Sequence, residues 1–445
     1  MSDNYFDVAI VGSGPAGLWA ADELKSNAPQ LKIAIFEKNP SSSGGMINDC
    51  KLILSTQVGV DLQELGIDET EAWKHIRTID DKFLSYGADT YVHGTNEKEV
   101  KKLADRAKWC GAQLVPSQQR HIGTDRAGYI VKQYKQDLEA KAIKFFTNTN
   151  ISDVQKDNDG FKLCSSGSEY NAKFVICAPG RDGAYWLRDL AKKLGIEYRW
   201  SPVDIGVRLE VLKEVFDPVT DVIYDPKFVF YTKCHNDKVR TFCTNPGGRV
   251  VVEKPNEYGF RLINGDALKE KKTLSSNFAL LNTMNLTQPY ADTTEMARSI
   301  AIETNRLGGG KPIVQRMGDF LAGNRSKLET FYDKSKEYDM IIPTLKPDVH
   351  VVPGDLCYAY RARTVDNLRE VFITLNMIVP GITHPATLIY APEIKFYDTK
   401  YPTTKELETN LPSFYVAGDG AGKSRGIVGA AMTGMIAARG ILNKI

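Results

Sequence analysis

The chain opens on a short apolar run, FDVAIVG, from Phe6 to Gly12. Its β-branched residues carry no polar alternation, the pattern of a strand buried on both faces of a parallel sheet. GSGPAG follows, then LWAADELKS with helical periodicity, and LKIAIFEK from Leu31 to Lys38 repeats the buried-strand pattern. Together these make one βαβ unit. Between 60 and 146 the period lengthens to that of helices, in DLQELG, ETEAWKHIRTIDDKFLSYG, EKEVKKLADRAKWCG and TDRAGYIVKQYKQDLEAKA, the last with Asp125 as a plausible cap. Short alternating segments around Asn158–Asp159–Gly160 then predict a small β-meander leading to AKFVICAPGRDG. From about Tyr198 to Pro380 the style changes. DIGVRLEV, KFVFYTK, VRTFCT, GRVVVEK and FRLING read as strands, and SNFALLN, DTTEMARSIAIETNRLG and DNLREVFITLNM read as helices. Near the end, GIVGAAMTGMIAA from Gly426 is thirteen uncharged residues, too short to cross a bilayer and expected as a buried helix.

The glycine turn carries the first chemistry. Gly12 permits a tight turn, Gly14 removes a side chain where backbone meets a pyrophosphate, and Gly17 lets helix and strand pack closely. Pro15 and Ala16 open the helix, whose N-terminal N–H groups favour phosphate. Glu37 lies 20 residues beyond Gly17 at the end of the second strand, beside Lys38, where a carboxylate can bind ribose hydroxyls. A dinucleotide follows; this motif alone leaves FAD and NAD open.

The C-terminal stretch FYVAGDGAGKSRGIVGAAM resembles the closing motif of glutathione-reductase-type FAD proteins. The resemblance implies that Gly418 and Asp419 meet the ribityl or pyrophosphate portion of FAD, and that Gly426 and Ile427 begin a helix aimed at the flavin. Ala178 and Gly180 of Ala-Pro-Gly match a third piece, with Pro179 where the family usually has Thr. Ile151 corresponds to the backbone contact with adenine, and Gly44 and Gly45 to a loop crossing the flavin ring. HIGTD, VRTFCTNPGGRVVV and LGGGKPIVQRMGDFLAG extend the likeness. The chain is identified with the uncharacterised FAD-dependent dehydrogenase family of the glutathione-reductase-type NAD(P)/FAD-dependent oxidoreductases. The expected architecture is α/β: a Rossmann-like FAD-binding domain, a parallel sheet with a β-meander, over 1–197 with a helical insertion at about 60–146. An inserted α+β substrate or cap domain over 198–380 sits over the flavin, and 381–445 returns to the FAD-binding domain.

Composition narrows the rest. Net charge is +2, with 57 basic and 55 acidic residues, too even for a nucleic-acid binder. Seven scattered cysteines without a C-x-x-C pair disfavour a disulfide framework, a zinc site and a dithiol flavoenzyme. No secretory signal opens the chain, so a cytoplasmic location without a membrane span is expected. One glycine fingerprint, with no second one, leaves NAD(P)H as a transient donor at most. Candidates for catalysis are Cys243, Lys51 beside Asp49, and His121, the last as a proton carrier. Arg208, Arg361 and Tyr390 are candidates for binding a small-molecule substrate, with Arg316, Arg363 and His384 behind them. Each has an ordinary structural alternative: a buried thiol, an ion pair or a packed ring. The expected function is hydride transfer through flavin N5 to or from an organic substrate. A flavin monooxygenase and a non-catalytic FAD-binding redox sensor remain as alternatives, and nothing in the sequence sets the oligomeric state.

Overall fold

The apolar run at the start becomes the strand Tyr5–Val11, with Val8 to Val11 buried. The computed structural model describes residues 4–41, 44–157, 159–253, 259–268, 271–284, 292–332, 341, 343–347, 349–396 and 399–445. The chain divides into two compact units. One comprises Met1–Tyr91, Arg120–Ser201 and Tyr397–Ile445; the other comprises Val92–Gln119 and Pro202–Phe396.

In the first unit Tyr5–Val11 lies between Ile33–Phe36 and Ser168–Cys177, parallel to both. Lys144–Phe146 extends the parallel sheet beyond Ile33–Phe36. Ser168–Cys177 is long enough to serve two partners on its other edge. Its first half pairs antiparallel with Gly160–Ser165, which continues to Ile151–Asp157, and its last residues pair parallel with Phe414–Val416. This is the expected Rossmann-like sheet with its meander; Asn158 of the turn lies outside the described residues. Helix Pro15–Asn27 crosses the closing helix Gly426–Leu442, and the crossing is close because Gly434 has no side chain. A Cβ there would stand 2.0 Å from the Ala16 carbonyl oxygen. Almost every residue of the closing helix is buried, and no described helix is long and apolar enough to cross a membrane.

Two local expectations change here. The segment expected as a loop crossing the flavin is a short helix, Gly44–Asp49, leading into the strand Lys51–Leu54. Helix Thr124–Ala140 is capped by the backbone of Gly123, at φ +91°, and Asp125 sits inside its first turn instead. There the carboxylate still faces the positive end of the helix dipole.

The second unit is built on an eight-stranded sheet. Its order is Val352–Pro353, Ile313–Arg316, Leu388–Lys395, Val203–Leu212, Ser275–Met284, Lys238–Asn245, Lys227–Tyr231, Ala112–Val115. The last strand, with helix Glu97–Trp109, comes from the 92–119 segment, so part of the expected helical insertion folds with this unit. The unit also runs to Phe396, beyond Pro380. One sheet face packs Val203, Ile205, Val207, Leu209, Phe278 and Leu280 against helices Lys213–Thr220, Thr293–Leu307 and Ala362–Ile378. SNFALLN is therefore a central strand, Ser275–Met284, and not the expected helix. Strands flank it on both edges and it is buried on both faces. Ala279 and Leu281 are as apolar as Phe278 and Leu280, which erases the alternation that identifies a strand.

Candidate functional site

Three strand ends in the first unit finish side by side. The Gly12 N–H donates to Phe36 O, the Ala178 N–H to Val11 O and the Ala417 N–H to Cys177 O. The loops that leave these strands are Gly12–Gly17, Ala178–Gly180 and Gly418–Gly422. Gly12 has φ +103°, and a Cβ on it would lie 2.2 Å from Ala178 O. Gly17 would press against Gly12 O at 2.0 Å, Gly420 against Gly180 O at 2.0 Å, and Gly418 against Ala16 Cβ at 3.2 Å. The three loops thus touch backbone to backbone, and only glycine admits that approach.

Gly14 differs from its neighbours: nothing lies within 4 Å of where its Cβ would be. It is also the cap of helix Pro15–Asn27 and provides no side-chain cap, so the first helical N–H groups keep their capacity for an anion. The closing helix likewise begins without a side-chain cap from Arg425, its own N-cap residue. Pro15 occupies the first turn, where its missing N–H costs nothing.

Side chains fix this backbone frame. Glu37 Oε2 accepts from Ser13 N at 3.1 Å and Ser13 Oγ at 2.7 Å, while Oε1 accepts from Asn39 N and Nδ2, both at 2.9 Å. Asp419 accepts from Ser424 Oγ at 2.9 Å and from Gly426 N at 3.2 Å, so its carboxylate anchors the closing helix. Thr433 Oγ1 accepts from Gly418 N at 2.9 Å. Ser13, Asn39, Ser424 and Thr433 were not singled out from sequence. Ser13 and Asn39 flank the motif positions and were within reach; Thr433 is 15 residues from its partner and carries no sequence signal. Lys423, also missed, is buried against Glu64 at 3.0 Å, and burial holds its ammonium below the usual lysine range.

The predicted contacts that surround this cradle are Gly12, Gly14, Pro15, Ala16, Gly17, Glu37, Ala178, Gly180, Gly418, Asp419 and Gly426. Ile427 follows in the buried first turn of the closing helix. Ile151 is buried at the start of its strand, Gly45 is exposed with open space above it, and Lys38 is exposed. An open, uncapped helix start beside three glycine loops is what a dinucleotide pyrophosphate requires, and these residues fit FAD.

The remaining candidates divide between the two units. Lys51 is buried, and the Ile122 N–H donates to Cys50 O, so His121 and Lys51 belong to adjacent backbone in the first unit. In the second unit Cys243, at φ +48°, uses its carbonyl oxygen to accept from Arg208 Nη1 at 3.0 Å. Arg208 itself is fully buried. Its Nε and Nη2 clasp Glu393 at 2.7 and 2.6 Å, Nη1 also reaches Asn277, and Nη2 reaches Asn264. All five donors of its guanidinium are thereby engaged inside the chain. Tyr390 donates to Glu210 at 2.6 Å, and burial pushes the Glu210 carboxyl up. Arg361 is exposed at the start of helix Ala362–Ile378. Arg363 pairs with Asp237, Arg316 donates to Ala386 O over the Phe331 ring, and His384 Nδ1 accepts from Ala386 N. Of the candidates in the second unit, Arg208, Cys243 and Tyr390 lie together, with Arg208 bonded to Cys243 and directly opposite Tyr390 on the neighbouring strand. No cluster of metal-ligating side chains occurs among the described residues.

Residues 2–80 match the Thi4 family model. Over 98% of its length the chain is 22% identical to an uncharacterized protein of Clostridium beijerinckii, covering 80% of that protein. It is 26% identical to the mitochondrial electron transfer flavoprotein-ubiquinone oxidoreductase of Bos taurus, over 46% of this chain and 34% of that protein. A glycine oxidase structure from Geobacillus kaustophilus aligns over 99% of this chain and 95% of its own, at 13% identity and a TM-score of 0.44.

Proposed function

We propose that this chain, an FAD-dependent oxidoreductase by the build of its nucleotide cradle and by its relatives, oxidises or reduces a small organic substrate by hydride transfer. One observation carries the reading: the Gly12–Gly17 turn, Ala178–Gly180 and the Gly418–Gly422 loop close on one another around an uncapped helix start. FAD, when bound, supplies the hydride chemistry. The protein's part is to hold and shape. The helix Pro15–Asn27 offers its N-terminal N–H groups to the pyrophosphate, and Gly14 leaves room for it. Glu37, oriented by Ser13 and Asn39, keeps remaining lone pairs for ribose hydroxyls. Asp419 holds Gly426 in place, which fixes the direction of the closing helix and of its positive end.

The second unit is the proposed substrate domain. The test is the visible spectrum of the purified protein. Oxidised-flavin bands that bleach anaerobically on addition of NADH, NADPH or an organic donor support the reading and identify the donor. Absence of such bands after incubation with FAD refutes it.

A further inference from the structure

Outside the nucleotide motifs, a strip of the first unit from Gly59 to Leu65 fastens the last cradle loop. Within Gly418–Gly426, Asp419 accepts from Ser424 and Gly426, and Arg425 Nη1 donates to Ser424 O, bonds that close the segment on itself. Lys423 reaches out of it. Its Nζ donates to Glu64 Oε1 at 3.0 Å, while Lys400 Nζ donates to Glu64 Oε2 at 2.9 Å. Glu64 stands on the short helix Leu62–Leu65, where Asp61 accepts from its N–H at 3.1 Å. The strip meets the segment again through backbone. Arg425 N donates to Gly59 O at 2.7 Å, and a Cβ on Gly429 of the closing helix would stand 2.5 Å from the same oxygen.

The two lysines that share Glu64 are not equivalent. The Lys400 side chain is 46% exposed, so water can replace its partner; that of Lys423 is 2% exposed. Among the described residues Glu64 is the one acidic side chain in ion-pair contact with Lys423. Burial pulls the Lys423 pKa below its usual 10.5, Glu64 opposes that pull, and Lys400 reinforces it. Glu64 is the mirror case. Burial raises its carboxyl, but Lys400 and Lys423 outweigh burial and hold it below the usual 4.5. An ammonium buried without a counter-charge gains by moving to water. Here that move displaces the backbone that carries Asp419 and Gly426. A segment that spends only a fraction of its time in the receptive conformation binds its ligand more weakly by that fraction.

We infer that Glu64 is a positioning residue for the cofactor: its carboxylate is the counter-charge that lets Lys423 stay buried and so keeps Gly418–Gly426 shaped to receive FAD. The inference rests on the FAD reading of the cradle. It requires no contact between Glu64 and FAD, and it makes the charge of Lys423, rather than its bulk, the quantity that decides.

The test is the FAD affinity of the apoprotein, titrated by flavin fluorescence. Glu64→Gln is expected to weaken FAD binding about tenfold near neutrality. Adding Lys423→Met should restore affinity to within about threefold of the parent, because the charge to be compensated is gone and Met fills the space. Raising the pH should strengthen FAD binding to Glu64→Gln, since the closed segment sheds the Lys423 proton more readily than the open one. The double variant, with no such proton, should show no such rise. Should Glu64→Gln fail to fold, Lys423→Met alone decides. Its FAD release on acidification should come at a lower pH than the parent's, where protonation of Glu64 strands Lys423. Unchanged affinity in folded Glu64→Gln, no recovery in the double variant, or identical acid release by the parent and Lys423→Met overturns the proposal. A parent chain that binds no FAD counts against the oxidoreductase reading instead.

Discussion

Lowering the pH should loosen the helices around the cradle through His75. This imidazole lies on helix Glu69–Ser85 and is buried. Arg439 of the closing helix places Nη1 3.1 Å from His75 Nε2, its Nε 2.8 Å from Glu23 Oε1, and Nη1 3.3 Å from Glu71 Oε1. One guanidinium so ties Pro15–Asn27, Glu69–Ser85 and Gly426–Leu442. Arginine only donates, so His75 Nε2 must accept and the ring must be neutral. Burial first, then Arg439 and Lys74, pull the His75 pKa from 6.5 to about 4.

The sign follows from linkage. Between 6.5 and about 4 the unfolded chain binds a proton that the folded chain refuses. Stability is therefore intact above the upper value and drains away as the pH falls through the lower one. A difference of about 2.5 units at ~1.4 kcal/mol each amounts to about 3 kcal/mol. His75→Gln keeps an acceptor for Arg439 and cannot titrate. Urea unfolding at a series of pH values should show the variant weaker by about 1 kcal/mol near neutrality. Its acid decline should be shallower than that of the parent by about 3 kcal/mol. Flavin release on acidification should shift in parallel. Superimposable acid limbs for the two proteins would refute the assignment.

Gly12→Ala should yield protein purified without flavin, because the methyl group meets Ala178 O at 2.2 Å and the backbone is at φ +103°; the ratio of visible to protein absorbance checks it. Arg208→Met should destabilise the second unit by about 3–5 kcal/mol, the effect of taking from buried Glu393 the guanidinium that clasps it. Adding Glu393→Gln should recover part of that loss in thermal unfolding, and a double variant no more stable than the single one would contradict the pairing.

What the sequence revealed was local in origin. FDVAIVG, GSGPAG and the uncharged run after Gly426 each announce their structure within a few residues, because period and glycine mechanics act at short range. What stayed hidden depended on distant partners. Arg208 reads in sequence equally as a substrate clamp or an internal ion pair, and its partner Glu393 lies 185 residues on. The Asp419 carboxylate accepts from Gly426 N, a contact that turn geometry alone decides. Ser275–Met284 had lost its alternation because both its faces are buried. The 92–119 segment joins the second unit through the edge pairing of Ala112–Val115 with Lys227–Tyr231, and strand order leaves no mark on composition.

The two units are held by different physics, with consequences for how each tolerates change. The cradle works with backbone: glycines that admit close contact, and helix N–H groups whose direction is set by Glu37 and Asp419. Most substitutions there either collide with a carbonyl, as at Gly12, Gly17, Gly420 and Gly434, or leave the N–H array untouched. Cofactor binding should accordingly be lost or kept, with little middle ground. The polar sheet face of the second unit works with charged side-chain pairs, among them Arg208 with Glu393 and Arg240 with Asp204. There a single exchange alters sign and reach without moving a strand, since the pairing of Val203–Leu212 with Ser275–Met284 depends on backbone hydrogen bonds and on the apolar face beneath.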